Sequence, residues 1–468
     1  INYGLRYDSF EMDAGPAYNE YGSGLLGFRN DTPASTSILQ PRFGFQLDAT
    51  DLPMFSSNRI VSAELRGGYG LFAGRVPNVW VASPFANSGV VQYGSRSGRF
   101  PDGTPECTTG AEITCFRNPE TIYQDFPYSQ FASASPAQGI DPNYDTPSTW
   151  KFNLELLLTT ANGYNLKAAV NIDDAEDGVG FADASASVDQ VGKTGLVTYD
   201  TEDAFYITNA EGTSSNSFTL AMDKEFDNGL DVFASYTNTE AESGWIATSS
   251  QLSSNLENMV AVDRMNVDVG NTPWAIKHRL VAGLNYTANW FNNAPTKFSL
   301  FYKVYSGKRF TYTLDGFYDG YSEYNTRMYV PTAGDPNVVY EGVTEGEVLT
   351  AVQGIGTPGS HVEANTGQLP YTRGLDLRIA QEIPVNNSYF GIKDHKLVLY
   401  YDLLNVLNFI NEDKGHVYYQ GFSTRGLLDS SGLDDEGRII ITGVDTRKGT
   451  LDQYASRYRM QLGFTYKF

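Results

Sequence analysis

The last twelve residues constrain this chain more than any other stretch. They read Arg457-Tyr458-Arg459-Met460-Gln461-Leu462-Gly463-Phe464-Thr465-Tyr466-Lys467-Phe468. Every even position is apolar or aromatic, and every odd one is polar or Gly. Successive side chains of a β-strand point to opposite faces, so one face of this strand is wholly apolar and the other polar. A soluble edge strand is usually blunted by charge or Pro on its outer face, and this one is not. The pattern predicts a strand with lipid on one side and a polar interior on the other.

The same pattern recurs upstream. About twelve alternating segments can be picked out, most clearly at 150–158, 164–172, 218–226, 230–236, 280–290, 396–403 and 457–468. Weaker ones lie at 1–9, 43–49, 62–72, 297–305 and 374–381. In the first of these, Trp150, Phe152, Leu154, Leu156 and Leu158 share a face. Connections alternate between short and long. The short ones are turns such as Ala161-Asn162-Gly163, Asp227-Asn228-Gly229 and Asn292-Asn293-Ala294-Pro295. Asn-Gly supplies the positive φ that tight hairpins need. The long ones cover about 14–41, 74–148, 174–214, 244–276, 309–372 and 411–455. Counting back from Phe468 puts every long connection at the same end of the strands. That asymmetry is characteristic of bacterial barrels with short periplasmic turns and long extracellular loops. A soluble sandwich or propeller would instead show strands every 8–12 residues with polar outer faces.

Composition agrees. No run of about 18 apolar residues is present, so no helix is expected to cross a membrane, but barrel strands need only ~9–11 residues each. Aromatics make up 13% of the 468 residues, with 31 Tyr, which suits interfacial aromatic girdles. A net charge of −22 argues against a nucleic-acid partner. Acidic runs, Asp173-Asp174-Ala175-Glu176-Asp177 and Asp434-Asp435-Glu436, are read as solvated loops between strands; no EF-hand spacing supports calcium there. Cys107 and Cys115 lie eight apart in a Thr/Gly/Pro-rich loop and are expected to form a disulfide. No cofactor is indicated. No nucleophile elbow, zinc motif, Walker loop or His cluster appears, so no enzyme activity is expected. The Arg66-Gly67-Gly68-Tyr69-Gly70 run is read as a strand whose interior-facing glycines leave room, not as a phosphate cradle. Residues 76–86, with Pro77, Trp80 and Phe85, suggest a short folded piece at the barrel mouth.

Three blocks carry a family resemblance. They are Glu64-Leu65-Arg66-Gly67-Gly68-Tyr69-Gly70-Leu71-Phe72-Ala73-Gly74-Arg75-Val76-Pro77, then Gly374-Leu375-Asp376-Leu377-Arg378-Ile379-Ala380-Gln381-Glu382-Ile383, then Leu399-Tyr400-Tyr401-Asp402-Leu403-Leu404-Asn405-Val406-Leu407-Asn408. With the terminal strand, they resemble in patches, over most of the chain, the C-terminal barrel region of Oar-like TonB-dependent receptors. Gly463, Phe464, Tyr466 and Phe468 resemble the signal by which outer-membrane barrels are recognised and inserted. The resemblance implies a plug, a TonB box and earlier strands, none of them in this sequence.

The expected architecture is an all-β, antiparallel transmembrane barrel portion spanning residues 1–468, about twelve strands of a barrel of about 22. Because the sequence opens inside a strand with no export signal, it is expected to be the later part of a longer chain. The terminal strand should pair with a strand outside this sequence, not with residues 1–9. The expected function is outer-membrane uptake of a ligand too large for porins. The expected partners are membrane lipid, the barrel-assembly machinery, the TonB complex, and a peptide, glycan or siderophore. A passive channel and an adhesion or secretion barrel are the alternatives. Candidate ligand contacts in the aromatic-rich loops are Trp80, Phe85, Tyr318, Tyr321, Tyr324, Tyr418 and Tyr419, since Tyr-rich loops make adaptable recognition surfaces.

Overall fold

A computed structural model describes residues 1–74, 78–89, 136–291, 294–387, 392–445 and 449–468. Twelve long strands run in chain order through one antiparallel sheet. The first six are β1 (Asn2–Glu11), β2 (Ser35–Asp48), β3 (Ile60–Ala73), β4 (Ser148–Thr160), β5 (Tyr164–Asp183) and β6 (Ser214–Glu225). The others are β7 (Leu230–Ser243), β8 (His278–Phe291), β9 (Ala294–Tyr305), β10 (Thr372–Asn387), β11 (Ile392–Leu404) and β12 (Arg459–Lys467). Each pairs with its sequence neighbours, as a meander requires.

The short connections form where the sequence carries turn residues. Gly163 closes the β4–β5 turn at φ +74° and Gly229 closes the β6–β7 turn at φ +85°. Each donates its N–H back to a residue three earlier, Thr160 at 2.8 Å and Phe226 at 3.1 Å. A glycine in the left-handed region at the third loop position lets the two strands leave in register.

The register aligns the apolar sets of all these strands on one face. Leu65, Leu156, Ala168, Leu220, Tyr236, Leu280 and Val304 follow one another across β3 to β9. Tyr286, Phe298, Ile379, Tyr401 and Leu462 do the same across β8 to β12. Leu462 is 81% exposed on that face. The opposite face is polar and joined by ion pairs between strands. Arg378 holds Asp402 through two bonds of 2.5 and 2.7 Å. Glu382 receives Lys297 at 3.1 Å and Lys396 at 3.3 Å. Lys151 faces Asp173 at 3.8 Å.

Among the described residues, β1 pairs only with β2 and β12 only with β11. The two end strands do not pair with each other, so the sheet is an open path with two free edges.

Two expectations need correction. The acidic run 173–177 is not a loop: β5 continues through it to Asp183. Asp173 and Asp174 stay in the ladder with Lys151 and Trp150 of β4 and with Ser215 and Ser214 of β6, and residues 178–183 pair with the strand Phe205–Ala210. Backbone pairing on both sides outweighs the preference of carboxylates for loops, and 20 residues at ~3.3 Å each carry this strand well beyond a ~30 Å hydrocarbon layer. The second correction is to the start of β2. The ladder runs through Pro41 back to Ser35. In contrast, Asp434-Asp435-Glu436 does lie in a turn, between Thr424–Leu433 and Ile439–Val444. Cys107 and Cys115 lie outside the described residues, as do Asn292 and Asn293 of the expected third turn.

Candidate ligand-capture surface at the loop end

The long connections at one end of the sheet fold together. Their largest core gathers Leu196, Leu314, Phe317, Met328, Val348 and Leu428, with Ile439 and Ile441, from three separate connections. A second sheet, of mixed parallel and antiparallel pairs, supports it. Arg309–Asp315 pairs in parallel with Thr424–Leu433, and Val338–Tyr340 pairs in parallel with Ile439–Val444. A smaller core packs Phe181, Phe205, Ile207, Leu252 and Leu256.

One buried ion pair ties the loops to each other. Arg264 is 1% exposed. Its Nε donates to Asp319 Oδ2 at 3.0 Å, and its Nη2 reaches the same oxygen. Its Nη1 donates to the carbonyls of Leu256, Glu257 and Met259 at 2.7, 3.1 and 2.6 Å. Asp319 Oδ1 accepts from the backbone N–H of Tyr321 and Ser322 at 3.1 and 3.0 Å. The guanidinium closes the C-terminal end of the helix Leu252–Glu257, and the carboxylate folds the turn that carries Tyr321. A buried charge pair of this kind is tolerable because nearly every polar atom has a partner.

The aromatic candidates separate into two groups. Trp80 sits in the helix Asn78–Ala86, packs edge-on against Phe181 at 5.4 Å, and donates its indole N–H to the Ser249 carbonyl at 2.8 Å. Tyr321 packs against the same core and donates to Asp183 Oδ2 at 3.0 Å. Burial, and then the Asp183 carboxylate, push its hydroxyl pKa well up, so it stays a protonated donor. Phe85, Tyr318, Tyr324 and Tyr419 are exposed, as is Phe422. Tyr418 pairs with Leu451 and lines a recess of about 500 Å³ with Phe310, Tyr312 and Arg425. The structure thus does not bring the seven candidates into one site.

A cleft lies where the connections 244–277, 306–371 and 405–458 meet. Its volume is about 370 Å³, and its wall includes Asn258, Asp268, Tyr324, Asn325, Phe422 and Thr424. Of these, the sequence reading had placed only Tyr324 among its candidate ligand contacts. Asn258, Asn325 and Arg264 gave no sequence signal, because isolated polar residues in a long loop look like solvated surface until the fold is known. Phe422 alone carried one, as part of an aromatic-rich run.

Below the loops, the glycines of β3 behave as their alternation indicates. Gly68 lies on the polar face, in a recess of about 360 Å³ with Arg42, Lys151, Asn153, Asn171 and Asp173. A Cβ at Gly68 would come within 2.9 Å of Asn153 Oδ1. At the terminal strand, the Tyr400 ring covers Gly463, 2.4 Å from where a Cβ would stand, while Phe464 and Phe468 are exposed and Tyr466 bonds His395 at 2.6 Å. No group of three His, Cys, Asp or Glu side chains among the described residues is placed to hold a metal ion.

No protein-family model matches the chain, and no curated protein matches it. Among solved structures, it is similar to the outer membrane transporter YddB from Escherichia coli, at 9% identity and a TM-score of 0.40, over 93% of this chain and 41% of that one. It is also similar to the RagAB peptide importer in its closed-closed state, at 10% identity and a TM-score of 0.35, over 86% of this chain and 42% of that one. The chain spans about two fifths of the length of either. The functional reading rests instead on the residues and their geometry.

Proposed function

We propose that this chain forms part of the wall and the outer loops of an outer-membrane transporter of the TonB-dependent kind, which takes up a ligand too large for porins. The observation that carries the reading is the division of the sheet into two chemically opposite faces across twelve strands. One face is a continuous apolar surface, and the other is crossed by ion pairs. A sheet in water would not leave such a surface bare, whereas a barrel wall meets lipid outside and a polar lumen inside. The folded loops lie at the end where an extracellular ligand would arrive. The two free edges favour a wall completed by further strands, since unpaired backbone in lipid costs several kcal/mol per group. About ten more strands and a plug would make a transporter barrel of about 22. A passive channel of these strands alone would need β1 to pair with β12, which does not occur among the described residues. On this reading the partners are membrane lipid, the assembly machinery that reads the terminal strand, and a TonB complex acting through a plug.

The test is accumulation of a bound ligand by whole cells with and without an uncoupler of the proton gradient. Energised uptake that stops with the uncoupler supports the reading. Ligand entry that continues unchanged would favour a passive channel.

A further inference from the structure

We infer that the cleft between the three loop connections binds a short segment of neutral oligosaccharide. The inference rests on the reading of these loops as a ligand-capture surface, and it names the ligand class.

Three features of the cleft support it. The first is charge. Asp268 is the charged side chain in its wall, and it is already engaged by Arg327. An anionic ligand would find no cationic side chain among the described residues of the wall, and a cationic one would have to compete for a paired carboxylate. The second is the set of uncommitted polar groups. The side chains of Asn258, Ser423 and Thr424 and the Tyr324 hydroxyl make no hydrogen bond among the described residues. The amide nitrogen of Asn325 is occupied by the Glu257 carbonyl and Ser322, which leaves its Oδ1 as an acceptor. Carboxamides and hydroxyls both donate and accept, as sugar hydroxyls do. The third is a pair of rings at the cleft, Phe422 at 80% exposure and Tyr324 at 60%. Bare aromatic faces suit the C–H faces of pyranose rings. Other wall groups are already committed: Asn365 donates to the Asn271 carbonyl at 2.7 Å, and Ser243 to the Trp245 carbonyl at 2.7 Å.

A peptide is the other neutral polymer, and the geometry disfavours it. Peptides in extended form are usually held by a free strand edge. Here the strand Thr424–Leu433 pairs with Arg309–Asp315 along Thr424–Asp429 and with Ile439–Val444 along Leu428–Leu433. Thr326 bridges to Ala261 on one side and pairs with Leu314 on the other. The strand residues in the cleft wall, Ser243 and Thr424, already pair with Gly270 and Thr311.

The test uses the purified protein in a sugar-free detergent such as an amine oxide. Saturation-transfer NMR and calorimetry are run with maltotriose, cellotriose, N,N′-diacetylchitobiose, a capped tri-alanine and citrate. At least one oligosaccharide should bind, and Phe422→Ala and Tyr324→Ala should each weaken it about tenfold. Tyr454→Ala, an exposed ring elsewhere, should leave affinity unchanged. Binding of none of the sugars, binding of tri-alanine or citrate alone, or sugar binding indifferent to both cleft variants would overturn the inference. Sugar binding without energised uptake would sink the transport reading and leave the cleft assignment standing. Energised uptake with no cleft-dependent sugar binding would do the reverse.

Discussion

Replacing Arg264 with Met tests whether the loops form a single folded body. Arg264 is buried and spends three nitrogens on Asp319 and on three carbonyls. Met fills similar volume but donates nothing. The carboxylate of Asp319 would remain buried with its Oδ2 served only by Thr326 at 3.3 Å, the Met259 carbonyl would lose the guanidinium donor, and the Leu256 carbonyl would keep only backbone N–H donors such as that of Met259 at 3.1 Å. Removing one partner of a buried ion pair costs about 3–5 kcal/mol. The double variant Arg264→Met with Asp319→Asn should recover part of that, about 1–2 kcal/mol, since the uncompensated charge goes while Oδ1 still accepts from Tyr321 and Ser322. Hydrogen exchange read by mass spectrometry would follow peptides covering 252–265 and 316–326. Both segments should lose protection together, by a factor of at least about a hundred, while peptides from β8 to β11 keep theirs. Loss confined to one segment, or a change of less than about tenfold, would refute the view that this pair joins the loops.

Other consequences follow from single residues. Leu462→Arg should cost about 2–4 kcal/mol of barrel stability in lipid, read as a lowered urea midpoint in vesicles, whereas Gln461→Arg on the other face should be nearly neutral. His361 packs beside Tyr329 and donates through Nδ1–H to the Arg327 carbonyl at 3.1 Å; burial lowers its pKa to about 4. The unfolded chain binds a proton near pH 6.5 and the folded one does not until about pH 4, so loop stability should be full above 6.5 and fall through that window, by up to about 3 kcal/mol. Denaturation of the loops at several pH values checks this, and an undiminished slope in His361→Gln would contradict it. Gly320 has φ +100° and a Cβ there would stand 2.2 Å from the Tyr199 carbonyl oxygen, so Gly320→Ala should destabilise the loops by more than about 1 kcal/mol in the same assay.

The strands were legible in the sequence and the loop body was not, for physical reasons. A wall strand is specified by its own residues: the alternation of Phe152, Leu154 and Leu156 with Lys151, Asn153 and Glu155 needs no knowledge of a partner, and Asn162-Gly163 announces its turn locally. The end of β5 differs from the expectation because Asp173 to Asp177 look like a loop by composition, yet Asp173 and Asp174 are held by Lys151 and Trp150 on one side and Ser215 and Ser214 on the other, and residues 178–183 by 205–210. The loop cores rest on contacts of still longer range. Thr311 pairs in parallel with Thr424, more than a hundred residues on, with a register shift after Thr313. A strand of seven residues such as Arg309–Asp315 carries too little periodicity to show such a partner. The aromatic runs correctly marked the loops as unusual, but composition could not distinguish Trp80 and Tyr321, which hold the loops together, from Tyr324 and Phe422, which are bare at the cleft.

The central claim is that the apolar face of the sheet meets lipid and the polar face meets water. Spin labels introduced one at a time at Leu156, Leu284 and Leu462, and at their neighbours Glu155, Asn285 and Gln461, measure it directly in lipid vesicles. A label-free-background control would report any reactivity of Cys107 and Cys115. The account predicts a period of two, with high accessibility to oxygen and low accessibility to a water-soluble nickel chelate at the three leucines, and the opposite at the three polar positions. Leucine positions as open to the nickel chelate as their polar neighbours would contradict it.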